Sequence, residues 1–151
     1  MMLRPGATSD RRESETAFRE DDAPVIEADL DGRITYANDA CLRACGFSEQ
    51  ELLGQPFNGL AHPEMPACVY GEALRKLRLG EEVHAYVVSR ARHGEAAWEL
   101  AHFTPRYDAN GRLTGYRALH RPAAVEEVAQ IEPFYRKIRK LEMAVPAVSR
   151  T

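Results

Sequence analysis

The sequence predicts an α+β domain built on one antiparallel sheet, and three observations predict it. Two alternating runs joined by Asp31-Gly32 open the ordered part of the chain. Short helical segments then follow one another from Asn38 to Leu79. Three further strand-like runs, joined by glycine-containing loops, close the pattern. Strands and helices segregated in this way argue for a single antiparallel sheet rather than βαβ units.

Each element has its own local cause. Residues 1–22 are rich in Arg, Glu, Asp and Ser, with Leu3 and Phe18 the large hydrophobes after the opening Met pair. They read as a solvated tail with room for a short helix near 13–20. From Val25 to Leu30, Ile26, Ala28 and Leu30 alternate with Glu27 and Asp29, and Arg33-Ile34-Thr35-Tyr36 alternates as well. Asp31-Gly32 between them predicts a hairpin with a type I′ turn. Asn38 is placed to cap a helix beginning near Asp39, which Gly46 ends. Ser48 and Glu51 form a capping box for another short helix that stops at Gly54.

The long helix is expected over Ala67–Leu79, with Val69, Ala73, Leu77 and Cys68/Leu74 spaced for one buried face and Gly80 closing it. Strands follow at Val83–Arg90, Ala96–Arg106 and Leu113–His120. Arg92-His93-Gly94-Glu95 and Asp108-Ala109-Asn110-Gly111 are their hairpin loops. Pro122 ends the last strand. Ala123–Met143 is helical in pattern, with a break or restart expected at Pro133. Phe134, Ile138 and Leu141 form its apolar stripe, with Arg136, Lys137, Arg139 and Lys140 mostly opposite, so the helix packs on its own domain or on a partner. The chain thus divides into a tail (1–22), a domain (23–122) and a helical extension (123–151).

Composition excludes several classes of function. A length of 151 residues suits one domain with tails, and a formal charge of −3 leaves no electrostatic footprint for nucleic acid. No run approaches the roughly 18 apolar residues of a membrane span, and no apolar segment follows the N-terminal arginine, so neither membrane insertion nor secretion is expected and the cytoplasm is. Three cysteines, Cys41, Cys45 and Cys68, show no metal-ligand spacing. Cys41 and Cys45 share a helix face and read as small buried hydrophobes, with a redox pair as the alternative. There is no Gly-rich phosphate loop, Gly-x-Ser-x-Gly or metal triad, so no enzyme is expected. His93, His102 and His120 read as surface or strand-edge residues.

The most informative segment is His62-Pro63-Glu64-Met65-Pro66. Two prolines fix φ and remove donors, giving a stiff turn that carries an imidazole and a carboxylate beside the sheet.

These residues resemble a known family. Asp31-Gly32-x-Ile34-x-Tyr36-x-Asn38, Gly46-Phe47-Ser48-x-x-Glu51-Leu52-x-Gly54 and Gly111-x-Leu113-x-Gly115-Tyr116 look like a PAS domain. The stretch Asn58 to Pro66, then Gly80-Glu81, Arg90, Gly94, Trp98 and Ile131 to Tyr135, resembles the PAS domains of bacterial aerotaxis receptors. The resemblance covers about Pro24 to Tyr135. It implies the PAS fold: a five-stranded antiparallel sheet with short helices over one face, followed here by a C-terminal amphipathic helix. In those receptors the pocket holds FAD and reports redox state to a chemotaxis domain. Carried over residue by residue, His62, Glu64, Asn38, Asn58 and Trp98 would line or rim that pocket. The chain departs from the family's pattern at Ala61, where an arginine is usual, and at Glu64, Leu74, Val83 and Ser89. Losing a phosphate-pairing guanidinium removes a contact of about 1.5–3 kcal/mol.

The expected function is a stand-alone PAS sensory and interaction module, homodimeric, that modulates a bacterial sensor histidine kinase or chemotaxis receptor by contact. The alternative is an FAD-dependent redox sensor. Weaker alternatives are a haem sensor, with His62 or His84 as ligand, and a sensor of a colourless small molecule.

Overall fold

The computed structural model describes residues 23–144; the expected N-terminal tail lies outside them. Strands β1 (Val25–Asp29) and β2 (Ile34–Ala37) are followed by helices α1 (Asp39–Cys45) and α2 (Glu49–Leu52), a 3₁₀ turn (Phe57–Leu60) and α3 (Ala67–Arg78). Strands β3 (Val83–Arg90), β4 (Ala96–Tyr107) and β5 (Leu113–Pro122) come next, and α4 (Val125–Ala144) completes the described chain. The sheet is five-stranded with order β2-β1-β5-β4-β3, and every pairing is antiparallel. The expected fold class is therefore the observed one.

Capping proceeds as the sequence implies. Asn38 Oδ1 accepts from the Cys41 N–H at 3.0 Å, and Gly46 closes α1 in the left-handed region at φ 78°. Ser48 and Glu51 exchange both bonds of the capping box. The first hairpin differs from the expected type I′ turn. That turn needs positive φ at two central residues, whereas Gly32 alone is positive there, at 81°. Instead Asp29 closes a three-residue loop: its carbonyl accepts from the Gly32 N–H, and its Oδ1 accepts from Asp31 and Arg33. Asp108, with Gly111 at φ 80°, repeats this arrangement between β4 and β5. In both loops an Asx carboxylate holds the backbone and glycine takes the left-handed position.

Alternation sorts the strands into two faces. Ile26, Ala28, Ile34, Ala101, Phe103, Tyr116 and Ala118 lie under α1–α3 and are buried. On the opposite face α4 covers the β3–β4 half, above Tyr86, Val88 and Trp98. There Trp98 stacks on Tyr135 with ring centroids 5.5 Å apart, and Tyr86 Oη meets Glu127 at 2.5 Å. The helix therefore packs on its own domain.

No break occurs at Pro133; α4 runs through it. Proline removes one helical hydrogen bond, but Pro133 and Ala129, whose carbonyl loses that bond, both face solvent. Tertiary anchors on either side hold the helix continuous. Cys41 and Cys45 are buried, as their shared face implies, while Cys68 is exposed despite its place in the helical pattern.

Candidate sensory chamber

Among the hollows between the sheet and α1–α3, two reach the inner face of the β3–β5 half of the sheet. The larger, about 240 Å³, is lined by Gly32, Asn58, Tyr70, Leu74 and Phe103 among others. Phe57 projects beside it and packs on Phe103 at 5.5 Å and on Tyr70 at 6.4 Å. The second, about 160 Å³, sits beneath α1 and is lined by Ile26, Cys41, Cys45, Ser89, Glu99 and His120 among others. The two share no lining residue.

The smaller cavity brings a carboxylate, a hydroxyl and two thiols into one lining. Ala97, Glu99, Ala101 and Phe103 alternate onto the inner face of β4, so Glu99 stands as a carboxylate on an otherwise apolar strand face. It accepts from the Ser89 hydroxyl at 3.0 Å. Burial pushes the Cys41 thiol up to about 12, and the nearby Cys45 and Glu99 add to that shift. Burial, then Glu99, also raises the Tyr70 hydroxyl. His120, expected at a strand edge, is buried, with Nδ1 3.4 Å from the Pro24 carbonyl oxygen. Glu99 was not legible in the sequence, because a carboxylate in a strand ordinarily marks the solvent-facing side and both faces of β4 carry apolar residues.

The five residues expected to gather at a ligand do not gather. Asn58 lines the larger cavity. Asn38 spends its amide on structure: Oδ1 accepts from Val25 and Cys41, and Nδ2 donates to Ala23. Trp98 points to the opposite face of the sheet, against α4. His62 and Glu64 line neither cavity. Their turn instead clasps the free edge of β3. The His62 N–H donates to the Val88 carbonyl at 2.9 Å, Met65 Sδ accepts from the Val88 N–H at 3.4 Å, and His62 Nδ1 accepts from the Glu64 N–H at 3.0 Å. Of the histidines considered for haem, His62 thus has Nδ1 engaged in its own turn. His84 lies on the outer face, stacked on His102 at 4.1 Å. Among the described residues no three His, Cys, Asp or Glu side chains converge as a metal site, and no helix is long and apolar enough to cross a membrane.

The clasp connects the chamber to α4. Arg139 donates to the Glu64 carbonyl at 2.7 Å. Glu142 accepts from the Ala67 and Cys68 N–H groups at 3.0 and 2.8 Å. Those are the first two donors of α3, whose own cap position is Pro66 and supplies no side-chain bond. A carboxylate there satisfies orphan donors and complements the helix dipole. One helix on the outer face therefore holds the end of another that walls the chamber.

Known proteins share this architecture. The PAS fold family matches residues 17–123. The aerotaxis receptor of Escherichia coli is 32% identical over 123 residues, covering 82% of this chain and 24% of the receptor. A biofilm dispersion protein of Pseudomonas aeruginosa is 33% identical over 90 residues, covering 59% of this chain and 22% of that protein. The chain thus spans a quarter or less of the length of these relatives. Among solved structures, the light state of the blue-light photoreceptor Aureochrome1 LOV superposes with TM-score 0.64 at 18% identity, covering 72% of this chain and 87% of that one. A PAS domain from Colwellia psychrerythraea gives 0.61 at 20%, covering 74% and 95%. The family match runs through every strand of the sheet and stops where α4 is about to begin: the chain belongs to the PAS family.

Proposed function

We propose that this chain is a sensory and interaction module that modulates a bacterial signalling protein, a sensor histidine kinase or a chemoreceptor, through protein contact and without catalysis of its own. The observation that carries the reading is the double attachment of α4. Arg139 holds the clasp on β3, and Glu142 caps α3. Any rearrangement of the chamber wall changes what α4 can bind, and displacement of α4 uncaps the wall; the linkage is reciprocal. Its outer side carries Phe134 and Leu141, seven residues apart and 64% and 66% exposed, as the surface offered to a second copy or to the signalling partner. The names of the relatives, an aerotaxis receptor and a nitrogen fixation regulatory protein, support a signalling context.

Hydrogen exchange tests this reading. In Glu142→Ala and Arg139→Ala, exchange is expected to quicken along α4 and also in the first turn of α3, Ala67 to Tyr70. Faster exchange confined to α4 would overturn the coupling.

The alternative occupant is FAD. A solved light-oxygen-voltage domain, studied with a flavin analogue, superposes with TM-score 0.65 at 18% identity, covering 83% of this chain and 93% of that one. The residues here do not fit that group as they stand. Phe57 is packed on Phe103 in the wall of the hollow beneath α3, and Ala61 stands where a guanidinium would pair a pyrophosphate. Blue and near-ultraviolet absorption bands from purified protein reconstituted with FAD would reinstate the flavin reading; colourless protein leaves the contact reading in place.

A further inference from the structure

We propose that the cavity beneath α1 is a subsite for a flat, ring-sized ligand bearing adjacent N–H donors, with the Glu99 carboxylate as the group that reads them. The inference rests on the sensory reading above and specifies the ligand class. Glu99 faces inward from β4 between Ala97 and Ala101. Among the described residues, its hydrogen-bond partner is the Ser89 hydroxyl, and it joins no ion pair. A carboxylate has two oxygens with about four lone-pair sites; the Ser89 hydroxyl takes one of them, and Glu99 lines the cavity. Arg90 also lines the cavity, but its Nη2 donates to the Gly59 carbonyl.

Size limits the occupant. The hollow, about 160 Å³ and half open to solvent, has room within its walls for one ring. Its remaining wall is apolar or weakly polar: Ile26, Leu60 and Ala44, with the thiols of Cys41 and Cys45. The Cys41 thiol stays protonated well above neutral pH, and Glu99 is the carboxylate in the cavity's lining. Paired N–H donors on one edge of a ring, as in an amidine or an aminopyrimidine, match the two oxygens of a carboxylate, because a charged acceptor strengthens both bonds. Ser89 fixes the carboxylate's rotamer, and buried His120 closes the opposite side on β5.

Benzamidine and benzoate test the assignment, since they share a ring and a shape and differ in presenting donors or acceptors. The full chain is titrated with each at neutral pH while backbone amide shifts are followed by NMR. Benzamidine is expected to shift Ala44, Ala91 and Ala97 and to bind at least tenfold more tightly than benzoate. Glu99→Gln, of the same shape, is expected to erase that preference. Glu99→Asp, which keeps the charge but shortens its reach, is expected to reduce it and serves if the glutamine variant fails to fold. Equal binding of the two probes, or a preference that survives Glu99→Gln, overturns the role of Glu99 and leaves the α4 coupling standing. No shift at those three amides with either probe overturns the subsite altogether. Loss of the exchange coupling along α4, with benzamidine still bound, instead defeats the sensory reading alone.

Discussion

The hydroxyl of Tyr135, midway along α4, donates to the backbone carbonyl of Tyr86 at 2.6 Å. Tyr86 lies in β3, an edge strand, and two residues further on Val88 exposes its backbone on the same free side, where His62 and Met65 meet it. An unpaired strand edge is a template for unwanted pairing. Here a side chain from the terminal helix and a proline-stiffened turn close that edge together. Burial, then Cys68 and Tyr86, push the Tyr135 hydroxyl up to about 12, so it remains a donor at physiological pH.

Removal of that bond is the first prediction. Tyr135→Phe keeps the ring against Trp98 and is expected to cost about 1 kcal/mol, read from urea unfolding. The Tyr86 to Val88 amides should exchange faster. Unchanged exchange in β3 would show that the edge does not depend on α4.

A second prediction concerns pH. The Tyr86 hydroxyl, bonded to Glu127, holds that carboxyl below its ordinary value of 4.5, and the same bond raises the Tyr86 hydroxyl above 10.0. The lowered carboxyl contributes stability above pH 4.5 that is lost as pH falls through its folded value. The raised phenol contributes below pH 10 what is lost as pH rises through its own. The N-terminal turn of α4 is therefore expected to stay attached across the neutral range and to loosen at both extremes. Tyr86→Phe should remove the alkaline limb from a pH series of α4 exchange rates and shrink the acid limb, part of which the Ala124 N–H and Arg121 still maintain at Glu127; an unaltered acid limb would sink the assignment.

The crossing of β1 and β5 leaves no room at Gly115. A Cβ there would lie 2.1 Å from the Ala28 carbonyl oxygen, which is backbone and has nowhere to go. Gly115→Ala is expected to destabilise by about 3 kcal/mol or more, seen as a lowered denaturation midpoint at unchanged slope. A midpoint equal to wild type would mean that the two strands part freely.

Tyr116 is fully buried, and its hydroxyl has no hydrogen-bond partner among the described residues. Burying an unpaired hydroxyl costs roughly 1–3 kcal/mol. Tyr116→Phe should therefore be neutral or stabilising. A loss of 1 kcal/mol or more would reveal an internal water or another partner at that hydroxyl.

The exposed side of α4 supplies a fifth test. If a second copy docks on this face, as proposed, Phe134→Glu and Leu141→Glu shift dimer to monomer in light scattering while leaving thermal unfolding of the monomer within about 0.5 kcal/mol. A wild-type mass that both variants retain would place self-association elsewhere.

Much of this protein was written locally. Asn38, Ser48 and Glu51 cap helices by bonds to residues three positions away, and the alternation in β3, β4 and β5 comes from period-two burial. Such features need only near neighbours and so are visible in the chain alone. Even the misread hairpin was nearly legible. Asp29 and Asp108 occupy equivalent positions in Asp-x-Asp-Gly-Arg and Asp-x-Asn-Gly-Arg, where the side chain of the first residue selects a three-residue loop over a two-residue turn.

The site was less legible, because its partners are far apart in sequence. Histidine, proline and glutamate in the Asn58–Pro66 segment suggested ligand contact, but the carbonyl of Val88 and the guanidinium of Arg139 make it an edge clasp. Trp98 suggested a pocket aromatic; the parity of β4 sends it to the other face, where Tyr135 waits. Pro133 suggested a break, which contacts on both sides of it override. Which segments become strands and helices is a local matter, since propensity, caps and turns act over a few residues. Only the tertiary structure decided which face of β4 meets the chamber, and that Glu142 caps a helix more than seventy residues away, because these depend on how the finished sheet is covered on its two sides.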